Sequence, residues 1–311
     1  MRVLYMGTPD FAVPTLQGMI EAGHEVVAVI TQPDRPRGRG KKKTAPPVKI
    51  AAQALNIPVL QPENVKAPEF IETLKQLAPE IIVVAAYGRI LPPAILNLPE
   101  YGCINVHASL LPKYRGAAPL HWSVINGEKE TGITIMRMDE GMDTGAIILQ
   151  EAMPILEGDN VGTVHDRMAA LGARLLLKAL SLTDKGALAG TPQTGEPSYA
   201  PMLKAEDEII NWERAAVDLY NQIRGMDPWP GARTTLGGKV LKLWRAEVIN
   251  EGPVAQLPGQ VLATGREGIT VATGQGLLLL KDIQLQGARR MSAADFIRGN
   301  PINVGTVLGQ S

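Results

Sequence analysis

The stretch VLYMGTPDFAVPTLQGMIEAGHEVVAVI, Val3 to Ile30, decides the fold. Its first four residues form an apolar run that ends at a Gly-Thr-Pro turn, as is typical of a buried strand. Apolar residues then recur at helical spacing until Gly23, and VVAVI follows as a second buried strand. A strand, a helix and a strand in succession predict a βαβ unit with parallel strands.

Later apolar runs extend this pattern. IIVVAA (81–86) and CINV (103–106) are further strand candidates with helical stretches between them, so we expect a doubly wound, mainly parallel, Rossmann-like α/β sheet. GITIMRM and AIILQEAM flank the turn-rich DEGMDTG and predict a hairpin-like addition to that sheet. One apolar face of a long helix is then predicted by Val161, Val164, Met168, Leu171 and Leu175.

The C-terminal third has a different character. Residues 187–201 are dominated by Gly, Pro, Thr and Ser, which indicates a linker. A short helix around 212–224 precedes short apolar strands that glycines interrupt, a rhythm typical of a small β-barrel of the oligonucleotide-binding kind. We therefore predict a catalytic domain over 1–188, a linker over 189–207 and a C-terminal β-barrel over 208–311.

Composition limits the class of protein. The 311 residues are 45% hydrophobic and 20% charged, as in ordinary folded proteins. The single cysteine, Cys103, excludes an internal disulfide and a cysteine-based zinc site, which fits a reducing compartment. The longest apolar run, 81–86, is far shorter than the roughly 18 residues that span a bilayer, and no signal peptide is recognisable. We expect a cytoplasmic protein without membrane contact.

Basic residues are concentrated in one segment. Lys plus Arg equals Asp plus Glu at 31 each, so attraction to a polyanion must come from local clustering. ITQPDRPRGRGKKKTAPPVK (30–49) is too rich in Gly and Pro for a helix and too charged for a core strand, which predicts a loop. The loop is either a solvated surface segment or a phosphate-binding element. Together with a downstream barrel it favours RNA binding.

Two polar side chains leave the end of a predicted strand together. In INVHASLLPKYRG (104–116), Asn105 and His107 are two residues apart and point to the same side. In open α/β sheets ligands bind beyond the carboxyl ends of the strands, where these residues would lie. The pattern fits a functional pair and a structural histidine equally well.

The loop MDEGMDTG offers carboxylates for the same site. A calcium loop is excluded, because counting from Asp139 the sixth position is Thr144 and the twelfth is Gln150. Asp and Gly are also ordinary turn formers between strands. Asp143 nevertheless completes a set of histidine, amide and carboxylate that can move protons and stabilise an oxyanion. Neither GxGxxG, GxxxxGK[ST] nor GxSxG occurs, which disfavours dinucleotide, nucleoside triphosphate and α/β-hydrolase chemistry.

The motifs taken together resemble a known family. MGTPDFAVP, TQPDRPRGRGKKK, AAYGRILP, the long stretch GCINVHASLLPKYRGAAPLHWSVINGEKETGITIMRMDEGMDTG and WPGA occur in the order found in the methionyl-tRNA formyltransferase family of folate-dependent formyl transferases. The resemblance covers nearly the whole chain. It implies formyl transfer from 10-formyltetrahydrofolate to the α-amino group of methionine on initiator tRNA, in translation initiation, by a monomer that needs no metal.

The resemblance also implies residue roles. The catalytic set would be Asn105, His107 and Asp143. On chemical grounds, Asp143 would orient His107 and raise the pKa of its ring, and the Asn105 amide and a protonated His107 would stabilise the oxyanion. Either His107 or a water would relay the proton to the folate nitrogen. Folate would contact Ser109, Leu110, Leu111, Pro112, Tyr87, Gly88, Ile90, Leu91 and Asp139. The tRNA would contact Arg35, Arg37, Arg39, Lys41, Lys42 and Lys43, with Arg39 at the acceptor end.

Two alternatives stay open at this point. A folate-dependent formyltransferase acting on an amino-sugar nucleotide or on glycinamide ribonucleotide would share the catalytic set, but a small amine gives the basic loop and the barrel no role. A non-catalytic RNA-binding protein on an old enzyme scaffold would have no need of the catalytic set.

Overall fold

The structure, a computed structural model, describes residues 1–37, 42–182, 188 and 190–310. The chain forms two units. Unit 1 consists of Met1–Pro119, Thr131–Pro154 and His165–Pro201. Unit 2 consists of Leu120–Glu130, Ile155–Val164 and Met202–Ser311.

A seven-stranded sheet forms the centre of unit 1. The strands of this part of the chain are β1 (Arg2–Gly7), β2 (Glu25–Ile30), β3 (Arg35–Arg37), β4 (Lys42–Thr44), β5 (Val59–Leu60), β6 (Ile81–Ala85), β7 (Cys103–His107), β8 (Glu130–Arg137) and β9 (Ile147–Pro154). Their order in the sheet is β5-β2-β1-β6-β7-β8-β9, and β3 and β4 pair separately. Neighbours from β5 to β7 are parallel, whereas β8 runs antiparallel to β7.

Helices connect these strands along the chain. They are α1 (Val13–Glu21), α2 (Pro47–Ala54), α3 (Pro68–Leu77), α4 (Pro93–Leu96), α5 (Pro119–Ile125), which lies mostly in unit 2, and α6 (Val161–Leu180), which lies mostly in unit 1. All five residues of the predicted apolar face of α6 are buried. The helix packs closely on β7 and β8, because a Cβ added at Gly172 would lie 3.0 Å from Val106 Cγ1.

The apolar runs of the sequence form the core of unit 1. Buried side chains of β1, β6 and β7 share one cluster with Phe70 and Leu74 of α3. Strands buried on both faces read as continuous apolar runs, which is why these strands were recognisable from the sequence. The cluster includes Leu4, Met6, Ile82, Val84 and Cys103.

The strand order places a crevice at the end of the sheet. The chain runs from β1 outward to β2 and β5 and then returns to β6 on the other side of β1. Beyond the carboxyl ends of β1 and β6 the connecting segments therefore diverge, and ligands of doubly wound sheets bind at this kind of position.

Unit 2 is a β domain that contains most of α5 and two later helices. Its strands are β10 (Ala232–Leu236), β11 (Lys239–Asn250), β12 (Val261–Gly265), β13 (Gly268–Ala272), β14 (Leu277–Leu285) and β15 (Met291–Ser292), and its later helices are α7 (Ala216–Arg224) and α8 (Ala293–Gly299). The strands follow the order β10-β11-β14-β13-β12, with β15 beside β14, and all pairs are antiparallel. Gly237 and Gly238 both have positive φ, which permits the tight turn between β10 and β11.

The predicted architecture, a parallel-dominated sheet followed by a small β domain, is confirmed. The prediction that the whole basic segment is a loop was wrong in part, because β3 and β4 pair as a short ribbon within it. A two-stranded ribbon with exposed faces needs no apolar alternation, so its sequence carries no strand signal. Within the described ranges, no helix has the length and apolar character needed to cross a membrane. The same residues contain no group of three or more His, Cys, Asp or Glu placed to hold a metal ion.

The packing of unit 2 gives a stability prediction. Leu280 of β14 is fully buried in the core of the unit, and Leu280→Ala is expected to destabilise the protein by about 2–5 kcal/mol because it removes buried methyl groups and leaves a cavity. Leu257, 65% exposed in the same unit, supplies the control Leu257→Ala, which should stay within about 0.5 kcal/mol of the wild type. All four tryptophans of the chain belong to unit 2, so urea denaturation followed by tryptophan fluorescence reports on this unit. Equal midpoints for the two variants would contradict the assigned core.

Candidate active site

A cavity of about 380 Å³ lies beyond the ends of three neighbouring strands. Thr8 follows β1, Gln32 follows β2, and Tyr87 and Gly88 follow β6, so the cavity is at the point where the strand order reverses. The Thr8 hydroxyl and the Gln32 amide both donate to the Tyr87 carbonyl, each at 3.2 Å. Arg35 of β3 also lines the cavity. The wall is therefore fixed by hydrogen bonds between the three strand ends.

His107 is the last residue of the neighbouring strand β7 and is 5% exposed. Its Nε2 lies 3.1 Å from the Tyr114 carbonyl oxygen, and its Nδ1 lies 3.6 Å from Asp143 Oδ2. A carbonyl oxygen only accepts hydrogen bonds, so Nε2 must carry a proton. In the neutral ring Nδ1 then carries no proton, and its lone pair is on the side of Asp143.

Burial lowers the pKa of His107 below its ordinary value, and this effect outweighs the Asp143 charge and the Tyr114 carbonyl, which both raise it. Asp143 raises the pKa of His107 as expected, but burial outweighs this effect, so the expectation of a protonated ring was wrong. Desolvation disfavours the charged form of a histidine, and the extent of burial depends on tertiary packing that the motif does not contain. Near neutral pH the ring of the free protein is uncharged and Nδ1 can accept a proton.

Asp143 is held in a strained position. Its φ is +54°, in the left-handed region that side chains rarely adopt, and its Oδ2 accepts a 2.8 Å hydrogen bond from the Gly116 amide. The next glycine, Gly145, passes so close to β8 that an added Cβ would lie 1.7 Å from the Arg137 carbonyl oxygen. Strained residues of this kind persist where the surrounding structure holds them, often at functional sites.

Asn105 precedes His107 by two residues on the same strand and is half-buried. Its backbone is fixed by pairing with Val84 of β6 and Met136 of β8. Among the described residues, its side-chain amide has no hydrogen-bond partner, so the amide is available to a substrate. The structure thus brings the amide, the imidazole and the carboxylate to one end of the sheet.

The stretch after β7, predicted to contact folate, is tied to the neighbouring strands. The Thr134 hydroxyl donates to the Ser109 carbonyl at 2.6 Å and accepts from the Leu111 amide at 3.2 Å. The Gln150 amide donates to the Leu111 carbonyl at 3.0 Å and to the Thr134 hydroxyl at 2.8 Å. These contacts fix the backbone that runs through Leu110 and Pro112.

The other residues predicted to contact folate have different environments. Ile90 is 69% exposed, whereas Leu91 is buried in the core of unit 1. Asp139 is exposed and accepts hydrogen bonds from the Gly141 amide at 3.0 Å and the Thr144 hydroxyl at 2.7 Å. Asp139 therefore shapes the loop that carries Asp143.

Four of the predicted tRNA-contacting residues belong to the β3–β4 ribbon, Arg35 and Arg37 to β3 and Lys42 and Lys43 to β4. Arg35 and Lys43 are exposed, and Arg37 and Lys42 are paired opposite each other in the ribbon. Arg39 and Lys41 lie outside the described residues.

Sequence reasoning missed the groups that hold the catalytic set. The Tyr114 carbonyl and the Gly116 amide are backbone groups, which no residue pattern identifies. Gln193 and Ser198, which contact the Asp143 loop and Tyr114, come from the segment predicted as a linker. The polar composition of that segment indicated only a linker, so the sequence carried no recognised signal for these contacts.

The arrangement is suited to acyl transfer. A neutral imidazole with a free lone pair can accept a proton, a carboxylate 3.6 Å away stabilises the resulting imidazolium, and an amide N–H can donate to a developing oxyanion.

Two family models match the chain. One, described as formyl transferase, matches residues 1–180, and the other, described as formyl transferase C-terminal domain, matches residues 202–301. The chain belongs to the formyl transferase family. The family's N-terminal model covers the cavity and the catalytic set described above, whereas Gln193 and Ser198 lie beyond its last matched residue.

Named relatives in this family are similar over their full length. A methionyl-tRNA formyltransferase of Pelotomaculum thermopropionicum is 64% identical over 311 residues, 100% of this chain and 99% of that protein. A methionyl-tRNA formyltransferase of Desulforamulus reducens is 50% identical over 310 residues, 99% of this chain and 98% of that protein. Each relative therefore extends over both units.

A solved N-formyltransferase has the same fold. The N-formyltransferase of Helicobacter canadensis, in complex with folinic acid and dTDP-3-aminofucose, superimposes with a TM-score of 0.67 over 90% of this chain and 98% of that one. The identity is 20%, so this likeness shows the fold alone.

Proposed function

We propose that the protein transfers the formyl group of 10-formyltetrahydrofolate to the α-amino group of methionyl initiator tRNA, giving N-formylmethionyl-tRNA for translation initiation. The observation that carries the proposal is the 64% identity over the whole chain to a methionyl-tRNA formyltransferase. The geometry supports it, because His107 and Asp143 lie together at the end of β7 and the Asn105 amide on the same strand has no hydrogen-bond partner among the described residues. Formyl transfer needs such a base and such an oxyanion donor.

The reaction makes one bond and breaks one. The amine nitrogen bonds to the formyl carbon, the bond from that carbon to N10 of folate breaks, and one proton passes from the amine to N10. A free α-amino group has a reference pKa of about 7.7–8.0, so a useful fraction is neutral near pH 7.5 without a strong base. Activation of the formyl carbon is then the harder task.

We assign the catalytic roles by geometry. As the amine adds, the formyl oxygen becomes an oxyanion, and the Asn105 amide would stabilise it as a hydrogen-bond donor. Nδ1 of neutral His107 accepts the proton that the amine nitrogen loses, and Asp143, 3.6 Å away, stabilises the imidazolium. The proton then passes to the departing folate nitrogen. Ser109, Leu110, Leu111 and Pro112, with Tyr87, Gly88, Ile90 and Leu91, would hold the folate.

The basic segment and the C-terminal residues would hold the tRNA. The basic residues of 35–43 are clustered because they would hold a local polyanion, the acceptor end of the tRNA, beside a pocket lined by both polar and apolar residues. We propose that residues 1–188 carry out catalysis, that 189–207 connect the domains and that 208–311 contact the tRNA. The protein would act as a monomer in the cytoplasm, without a metal.

A direct assay tests the function. Purified protein is given 10-formyltetrahydrofolate with methionyl initiator tRNA, an amino-sugar nucleotide or glycinamide ribonucleotide, at two salt concentrations. Transfer to the tRNA alone, weakening as salt rises, is expected. Transfer only to a small amine would keep the catalytic assignment and overturn the tRNA assignment. Binding of tRNA with no transfer to any acceptor would favour a non-catalytic RNA-binding protein.

The basic segment gives a separate prediction. Arg39→Ala is expected to weaken use of methionyl-tRNA and to lower the slope of log(kcat/KM) against log[salt] by about 0.7–0.9, the value for one lost phosphate contact. Lys75→Ala is the control, because Lys75 belongs to the last turn of α3, next to the amino-terminal end of β1, where Arg2 donates to the Leu77 carbonyl. An unchanged slope in Arg39→Ala, or an equal loss of folate binding, would contradict this role.

A further inference from the structure

Residues 191–200, within the predicted linker, run beside the active-site loops of unit 1. Thr191 exchanges two backbone hydrogen bonds of 2.8 Å with Ile147 of β9. Near the other end of the segment, the Arg115 amide donates to the Ser198 carbonyl at 2.8 Å and the Ala200 amide donates to the Arg115 carbonyl at 2.7 Å. The segment is therefore anchored at both ends.

Gln193 joins two loops of the active site. Its Oε1 accepts from Nε and Nη2 of Arg115 at 3.2 and 2.7 Å, and its Nε2 donates to the carbonyl oxygens of Asp143 and Gly145 at 2.8 and 2.9 Å. A glutamine amide has two N–H donors and one carbonyl oxygen, so all of its polar atoms are engaged. A side chain that serves only to cover a surface has no need of four such contacts.

Ser198 holds the other neighbour of His107. The Tyr114 amide donates to Ser198 Oγ at 2.9 Å, and the Tyr114 carbonyl accepts from His107 Nε2 at 3.1 Å. Tyr114 has a φ of +60° and Asp143 a φ of +54°, so both groups that flank the imidazole sit in a backbone conformation that needs outside support.

The fit between the segment and the loop after β7 is close. A Cβ added at Gly116 would lie 2.7 Å from the Ala200 carbonyl oxygen, nearer than real Cβ atoms come. The amide of the same Gly116 donates to Asp143 Oδ2. Movement of the segment would therefore shift the groups around His107.

We propose that Gln193 and Ser198 are positioning residues, which hold Asp143 and Tyr114, and through them His107, in the arrangement that catalysis requires. The activity measurement that tests this proposal rests on the proposed function. The segment thus belongs to the catalytic machinery in addition to connecting the two units along the chain.

Two variants test the proposal. Gln193→Met keeps the volume of the side chain and removes its polar contacts, and Ser198→Ala removes one acceptor. Each is expected to lower the single-turnover rate about 10- to 100-fold, because small displacements of catalytic groups have effects of this size. The melting temperature should change little. Gln76→Met, at an exposed position of α3 near the amino-terminal end of the sheet, is the control and should match the wild type.

A second readout does not depend on turnover. The Asp143 charge and the Tyr114 carbonyl both raise the pKa of His107, so loosening either one should lower the pKa further. NMR titration of the imidazole in the free protein measures this, with Asp143→Asn as reference for complete loss of the charge and His107→Gln to assign the signal. A merely structural segment would leave this pKa unchanged.

Gln193→Glu separates the two sets of contacts made by Gln193. It keeps an acceptor for Arg115 and loses the N–H donors to the Asp143 loop, so it should be as slow as Gln193→Met. Full activity of Gln193→Glu, or a wild-type rate and wild-type His107 pKa in both Gln193→Met and Ser198→Ala, would overturn the proposal. A shifted His107 pKa in the variants, combined with no formyl transfer by the wild type, would support the positioning role and overturn the proposed function instead.

Discussion

His107→Ala is expected to lower the single-turnover rate of formyl transfer by about 10²–10⁴-fold, the range for loss of a general acid–base group. The ring donates through Nε2 to the Tyr114 carbonyl, which leaves the Nδ1 lone pair 3.6 Å from Asp143. No other described side chain at the end of β7 combines a lone pair with an adjacent carboxylate. The rate is measured by rapid quench with formyl donor and methionyl-tRNA, so that product release does not mask the effect.

His107→Gln sharpens this experiment. A glutamine can offer an N–H donor to the Tyr114 carbonyl but has no basic nitrogen to accept a proton, so the variant should be folded and as slow as His107→Ala. His24→Ala, in the turn that precedes β2 at the amino-terminal end of the sheet, is the control and should leave the rate unchanged. Wild-type turnover in His107→Gln would remove His107 from proton transfer and leave it a structural role.

The pH profile carries the same information. His107 must be neutral to act as a base, and its pKa lies below the ordinary histidine value of about 6.5. The contribution of His107 to the rate is therefore lost only below about pH 6.5, as the pH falls through the lowered pKa. The unfolded chain protonates His107 more readily than the folded chain does. The free energy of unfolding therefore also decreases as the pH is lowered through that window. His107→Ala should lack both effects. The rise in rate toward pH 8 comes from the substrate amine and should remain in the variant.

The fold was largely readable from the sequence because its signals are local. The strands β1, β2, β6 and β7 are buried on both faces and therefore appear as continuous apolar runs. Side-chain alternation along a strand was enough to predict that Asn105 and His107 point to the same side of β7. Glycines that interrupt the apolar strands after residue 230 likewise indicated the second unit.

The positioning contacts of the site and the net pKa shift of His107 were not readable from the sequence, because they depend on contacts between distant parts of the chain. Gln193 meets Arg115 across 78 residues and Ser198 meets Tyr114 across 84, and contacts of that separation leave no periodic signal. The direction of the His107 pKa was mispredicted for a related reason. The motif shows the carboxylate that raises the pKa, whereas the burial that lowers it arises only when β6, β7 and β8 pack together.

Asn105→Ala is expected to lower the single-turnover rate by about 10²–10³-fold, the usual effect of losing one oxyanion donor. The backbone of Asn105 is paired on both sides, with Val84 and Met136, so truncation of a half-buried side chain should leave the strand intact. Among the described residues the amide has no partner, so its loss leaves no protein group unsatisfied. The effect should therefore appear in catalysis and not in the free energy of unfolding.

Binding measurements distinguish an oxyanion donor from a folate contact. Tetrahydrofolate lacks the formyl oxygen, so Asn105→Ala should bind it with wild-type affinity while the rate of formyl transfer falls. Asn97→Ala, an exposed asparagine at the end of α4, serves as the control for both measurements. A loss of tetrahydrofolate affinity as large as the loss of rate would show that Asn105 holds the folate itself. Equal affinity with a slow rate would mean that the amide acts only when charge develops on the formyl oxygen, which is the property that separates catalysis from binding.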